Sequence, residues 1–137
     1  MARRAEKTGK WRISKHAFYA ALHFAYQYNE WRKELSGMTD TVKAIQYSDM
    51  PKGGNPDQDP ICTLVARREQ LVKNTDLVEQ CAHDADPDLY EYILLGVTNE
   101  GVTYDNLYML KGIPCSKNTY YDRRRRFYYL LSSKLNL

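Results

Sequence analysis

Cys115-Ser116-Lys117-Asn118-Thr119-Tyr120-Tyr121-Asp122-Arg123-Arg124-Arg125-Arg126-Phe127-Tyr128-Tyr129-Leu130-Leu131 is the stretch on which the reading of this chain turns. Ser116 suits a helix start, because its hydroxyl can take a backbone N–H that the first turn leaves unpaired. At helical period Tyr120, Phe127, Leu130 and Leu131 share one side, while Asn118, Tyr121, Asp122 and Arg125 share the other. Just upstream, Thr103 to Leu110 reads as a short helix with Leu107 and Leu110 inward, and Lys111-Gly112-Ile113-Pro114 as a tight turn. A short helix, a glycine turn and a longer basic helix match the pattern whose second helix enters the DNA major groove.

Working outward, charge is distributed unevenly along the 137 residues, although the net charge is only +3. Residues 1–15 hold Arg3, Arg4, Lys7, Lys10, Arg12 and Lys15 against Glu6 alone. Residues 117–134 hold Lys117, Arg123 to Arg126 and Lys134 against Asp122. Between Lys73 and Lys111 only acids occur, among them Asp76, Glu79, Asp84, Asp86, Asp88 and Glu91. Two basic ends around an acidic middle suit a protein that meets phosphate at both ends. The bland alternative is a solvated arm and a solvated helix face.

The remaining pattern is helical. From Ser14 to about Leu35, Ala17, Ala21, Phe24, Tyr28, Trp31 and Leu35 recur in alternating four- and three-residue steps. Ser36-Gly37 is expected to stop that helix, and Met50-Pro51-Lys52-Gly53-Gly54-Asn55-Pro56 to form a loop. Asp59-Pro60 starts the next helix, to about His83, with Leu64, Leu71 and Val78 as its seam and Ile61, Val65 and Val72 beside them. Asp86-Pro87 opens a short helix ending near Gly96. No convincing strand alternation or repeat occurs. The expected fold is all-α: a basic flexible arm (1–13), a helical hairpin (14–85, loop 36–58) and a C-terminal helix-turn-helix (86–137).

Other chemistries fare poorly. His16 and His23 share a helix face but lack the further ligands that zinc needs. Cys81 and His83 are two apart and do not face each other on a helix. Asp84, Asp86 and Asp88 lack the glycine and distal Glu of a calcium loop, and Lys52-Gly53-Gly54 lacks phosphate-loop spacing. Cys62, Cys81 and Cys115 are odd in number and widely spaced, which fits a reducing cytoplasm rather than a disulfide framework. No secretory signal or stretch of the ~20 apolar residues needed for a membrane span is present. The reading is a cytoplasmic, non-enzymatic protein without metal or cofactor.

Within the basic helix, Lys117, Asn118, Tyr121 and Arg125 are expected to reach base edges, with Arg124 and Arg126 holding phosphate. Arg123 and Arg124 flank Phe127, where their charges reach either phosphate or an acidic partner such as segment 84–91. The tyrosine pairs 120–121 and 128–129 invite a base-stacking role, but neighbouring helical residues cannot form one platform, and packing is the better reading.

These residues resemble the RinA-like phage transcriptional activators, whose C-terminal part is similar to sigma-factor region 4. The resemblance runs from Tyr28-Asn29-Glu30-Trp31-Arg32-Lys33-Glu34-Leu35 and Met50-Pro51-Lys52-Gly53-Gly54 to Asp59-Pro60 and Arg67-Arg68-Glu69. It closes on Gly112-Ile113-Pro114-Cys115-Ser116, Thr119-Tyr120-Tyr121 and Arg123 to Phe127. It implies an activator that binds double-stranded promoter DNA of late or packaging genes and works with host RNA polymerase. Two other readings stand beside it: a small-terminase-like packaging protein, and a module that binds polymerase or sigma factor. The wide stripe around Tyr28 and Trp31 is expected to seat a second copy in a symmetric dimer.

Overall fold

The computed structural model describes residues 9–47 and 60–137, with side chains from 39 to 47 left aside. Among these residues it is all-helical: α1 (Lys15–Tyr26), α2 (Tyr28–Tyr47), α3 (Pro60–Ala85), a 3-10 turn (Pro87–Leu89), α4 (Tyr90–Thr98), α5 (Tyr104–Lys111) and α6 (Lys117–Lys134). Several starts follow from local chemistry. Ser14 accepts the Ala17 N–H at 3.1 Å, and Asp86 accepts from Asp88 and Leu89 before Pro87 opens the turn. Asp59, the expected cap of α3, lies outside the described residues.

The long first helix is broken. Gln27 donates its N–H back to Phe24 O at 3.2 Å, tightening one turn, and α2 starts at the next residue. This break sends one apolar stripe to two partners. Phe18, Ala21, Leu22 and Ala25 of α1 are buried, and α1 packs on α6 and α4. Tyr28, Trp31 and Met38 of α2 are buried, and α2 packs on α3.

The α2–α3 pair runs antiparallel, because the later contact along α2 meets the earlier position on α3. The Tyr28 hydroxyl donates to Glu79 at 2.5 Å, and Arg67 meets Glu34 through two hydrogen bonds of 3.1 Å. Leu71 and Val78 are fully buried, whereas Ile61 and Val65 are 37% and 43% exposed and fall outside the expected seam. Ser36-Gly37 does not end the helix either. α2 continues to Tyr47, with Met38 buried just past the glycine. An interior glycine costs about 1 kcal/mol of helix propensity. Burying a large side chain such as Met38 returns about 1.5–3 kcal/mol, which is enough to carry the helix through. The expected loop 36–58 is therefore helical as far as Tyr47, and residues 48–59 lie outside the described residues.

α4 likewise runs past Gly96 to Thr98. Asn29 at the start of α2 donates to Thr98 O and to Asn99 Oδ1, both at 3.1 Å, fastening α2 to the end of α4. At the centre lies α6, packed by α1, α3, α4 and α5. Its Tyr120, Phe127 and Leu131 are fully buried, and Phe18 meets Tyr128 edge to face with centroids 5.0 Å apart. One hydrophobic core spans α1 to α6, so the hairpin and the C-terminal helices share their interior. Because Tyr28 and Trp31 are only 8% and 7% exposed, the stripe expected to seat a second copy is filled from within.

Candidate nucleic-acid interface

α5, the turn and α6 form a braced unit. Thr103 and Asn106 make a reciprocal capping box at the start of α5. Gly112 closes the helix in the left-handed region (φ 64°), where a side chain would be strained, and Ile113 turns inward to 3% exposure. The Tyr104 hydroxyl donates to Cys115 O at 2.5 Å across the turn. Ser116 then accepts the Thr119 N–H at 3.2 Å, and α6 begins. Leu107 is buried as expected, but Leu110 is 78% exposed, with Tyr108 and Met109 at 60% and 79% beside it. The inward face of so short a helix is used up by Leu107 and the half-buried Tyr104.

Six side chains of α6 are expected to contact DNA, and their positions diverge. Lys117 and Asn118 stand exposed at its first turn. Asn118, Asp122, Arg125 and Tyr129, spaced four, three and four residues apart, make one outward stripe. Tyr121 departs from the outward reading: it is 8% exposed, and its hydroxyl accepts the Tyr104 N–H at 3.2 Å, holding α5 to α6. Arg124 departs as well. It is 5% exposed, with its guanidinium 5.4 Å and 6.0 Å from the Tyr128 and Tyr121 ring centres and one nitrogen 3.4 Å from the Tyr128 hydroxyl. Neither side chain faces outward, because a helix wrapped by four others leaves only a narrow arc open.

Arg123 reaches the acidic partner read from the sequence. Its Nε bonds Asp86 at 3.0 Å, tying α6 to the turn before α4, and its Nη1 bonds Asp122. Arg126 has a neighbour that charge counting did not reveal. Its guanidinium lies 5.3 Å from the centre of the Trp11 ring, which also carries the Lys10 ammonium at 4.9 Å and packs on Tyr129 at 5.4 Å. Within the segment read as a loose arm, Trp11 thus packs on Tyr129 and Ile13 on the core.

The rest of the surface offers little chemistry. Burial and the nearby Asp84 push the Cys81 thiol up to about 11, so it stays protonated near neutrality. Among the described residues no group of three or more His, Cys, Asp or Glu converges, and no helix is long and apolar enough to cross a membrane. A scan against protein-family models finds no match to this chain, and searches of curated proteins and of solved structures find none either.

Proposed function

We propose that this chain is a sequence-specific DNA-binding transcription regulator of phage type, an activator of late or packaging genes that works with host RNA polymerase. The observation that carries the reading is the open face of α6. Lys117 and Asn118 project from its capped first turn, and Arg125 follows on the same stripe, while Tyr104 and Tyr121 hold α5 and the turn rigidly against it. Asn suits adenine and Arg or Lys suits guanine, and each bidentate pair contributes about 1–3 kcal/mol of discrimination. The likeness of residues 112–127 to RinA-like activators points the same way and supplies the link to late genes and polymerase.

Selection of bound duplexes from random sequence tests this. The wild-type chain is expected to enrich one motif, and Asn118→Ala and Arg125→Ala each to relax one base position. Unenriched pools, or unchanged preference in both variants, would remove the reading. A second reading, the polymerase- or sigma-binding module, is favoured by the apolar triad Tyr108, Met109 and Leu110 on α5. Met109→Glu with Leu110→Glu separates the two: lost activation with intact DNA binding assigns the triad to a protein partner.

A further inference from the structure

We propose that Lys10, Trp11, Arg126 and Tyr129 form a second contact surface, one that grips the phosphate backbone of duplex DNA beside the bases facing the start of α6. The proposal rests on the DNA-binding reading and adds to it a place and a set of residues. Two cations share one indole ring, at 4.9 and 5.3 Å from its centre, and among the described residues neither is in an ion pair. The Arg126 Nε is buried and has no hydrogen-bond partner among the described residues. Two cations so close to one ring centre lie at most about 10 Å apart, and an anion that meets both offsets their mutual repulsion. Arg12, the next residue in the chain, is exposed, and the preceding sequence holds Arg3, Arg4 and Lys7 against Glu6.

Position identifies the anion. Tyr129 lies on the Asn118–Asp122–Arg125 stripe, and eleven residues of α6 separate it from Asn118, a distance of ~16 Å at 1.5 Å per residue. The major groove is about 12 Å wide. With the first turn of α6 among the bases, the Trp11 cluster therefore stands over the groove wall, where phosphates lie. Trp11 serves as the clamp: it holds Arg126 and Lys10 against one ring. Such a surface contributes affinity and salt dependence without base preference.

The test uses the full chain with a selected duplex and a scrambled duplex of equal length, titrated at several salt concentrations. Trp11→Ala is expected to lose about three- to tenfold affinity for both duplexes alike and to lower the salt slope by about one, with the preference between them unchanged. Trp11→Phe keeps an aromatic face and is expected to bind within about twofold of wild type, which separates clamping from misfolding. Wild-type affinity and salt slope in Trp11→Ala, while Asn118→Ala still loses preference, would overturn this proposal and leave the DNA-binding reading standing. Failure of the wild-type chain to bind either duplex would overturn both. A loss in Trp11→Ala confined to the selected duplex would also overturn it, since that result makes Trp11 a reader of sequence.

Discussion

Gly96 and Tyr120 fit as socket and plug: the phenol of Tyr120 on α6 ends over the missing side chain of Gly96 on α4, where a Cβ would overlap its hydroxyl oxygen. Both residues are buried, and the hydroxyl has no hydrogen-bond partner among the described residues. Gly96→Ala gains up to ~1 kcal/mol of helix propensity, but overpacking costs about 1–3 kcal/mol, so a net destabilisation is expected in denaturant titrations. Tyr120→Phe removes the unpaired hydroxyl and should be close to neutral. In the Tyr120→Phe background Gly96→Ala should cost clearly less than alone. Additive effects would mean that the two side chains do not share this space.

Arg124 gives a second expectation. It is a buried cation among tyrosines, and no carboxylate among the described residues pairs with it. Replacing a buried ion by an apolar side chain of similar length often leaves stability unchanged or raises it. Arg124→Met should therefore melt at or above the wild-type temperature and bind DNA with unaltered base preference. Arg124→Ala should lose about 2–4 kcal/mol by opening a cavity. A loss of DNA affinity in a fully folded Arg124→Met would instead place the guanidinium on the nucleic acid.

Alkaline solution should weaken the fold. Burial raises the Cys81 thiol from 9 to about 11 and the Tyr128 phenol from 10 to about 12. Above pH 9 the unfolded chain releases these protons while the native chain keeps them, so the unfolded state binds fewer and stability falls as pH rises. The decline should begin near pH 9 and steepen toward pH 12. Urea midpoints at pH 7, 9 and 10.5 check it, and Cys81→Ala should flatten the slope between 9 and 11.

Leu71 probes the α2–α3 pair. It is fully buried on α3, and truncating a buried Leu typically costs about 2–5 kcal/mol. Leu71→Ala should lower the melting temperature by many degrees, whereas Val65→Ala, at a position 43% exposed, should be close to silent. Equal losses at both positions would contradict this face assignment.

How far the sequence reveals this molecule depends on the kind of signal. The helix starts at Asp86 and Ser116 are legible because one side chain and its nearest N–H groups decide them. The glycines misled, since Gly37 and Gly96 read locally as stops while Met38 and Tyr120 give distant reasons to carry the helix on. The break at Gln27 was hidden because the apolar stripe keeps its period through it. In the interface, the outward stripe at Asn118 and Arg125 followed from helical period alone. The inward turn of Tyr121 and Arg124 did not, because it depends on how many helices surround α6. Trp11 on Arg126 was out of reach of any local rule.

The central place of α6 also sets an order of assembly. The α2–α3 pair closes between neighbours in the chain, but Phe18 finds Tyr128 only when regions near opposite ends of the sequence meet. Such long-range closure is the slow part of folding even for helical chains. During synthesis α1 can settle on α4 first, and Phe18 meets Tyr128 only after the arginine-rich helix has left the ribosome. The helix proposed to meet DNA is thus also the piece whose arrival completes the interior, so a chain cut short before α6 is expected to lose its fold.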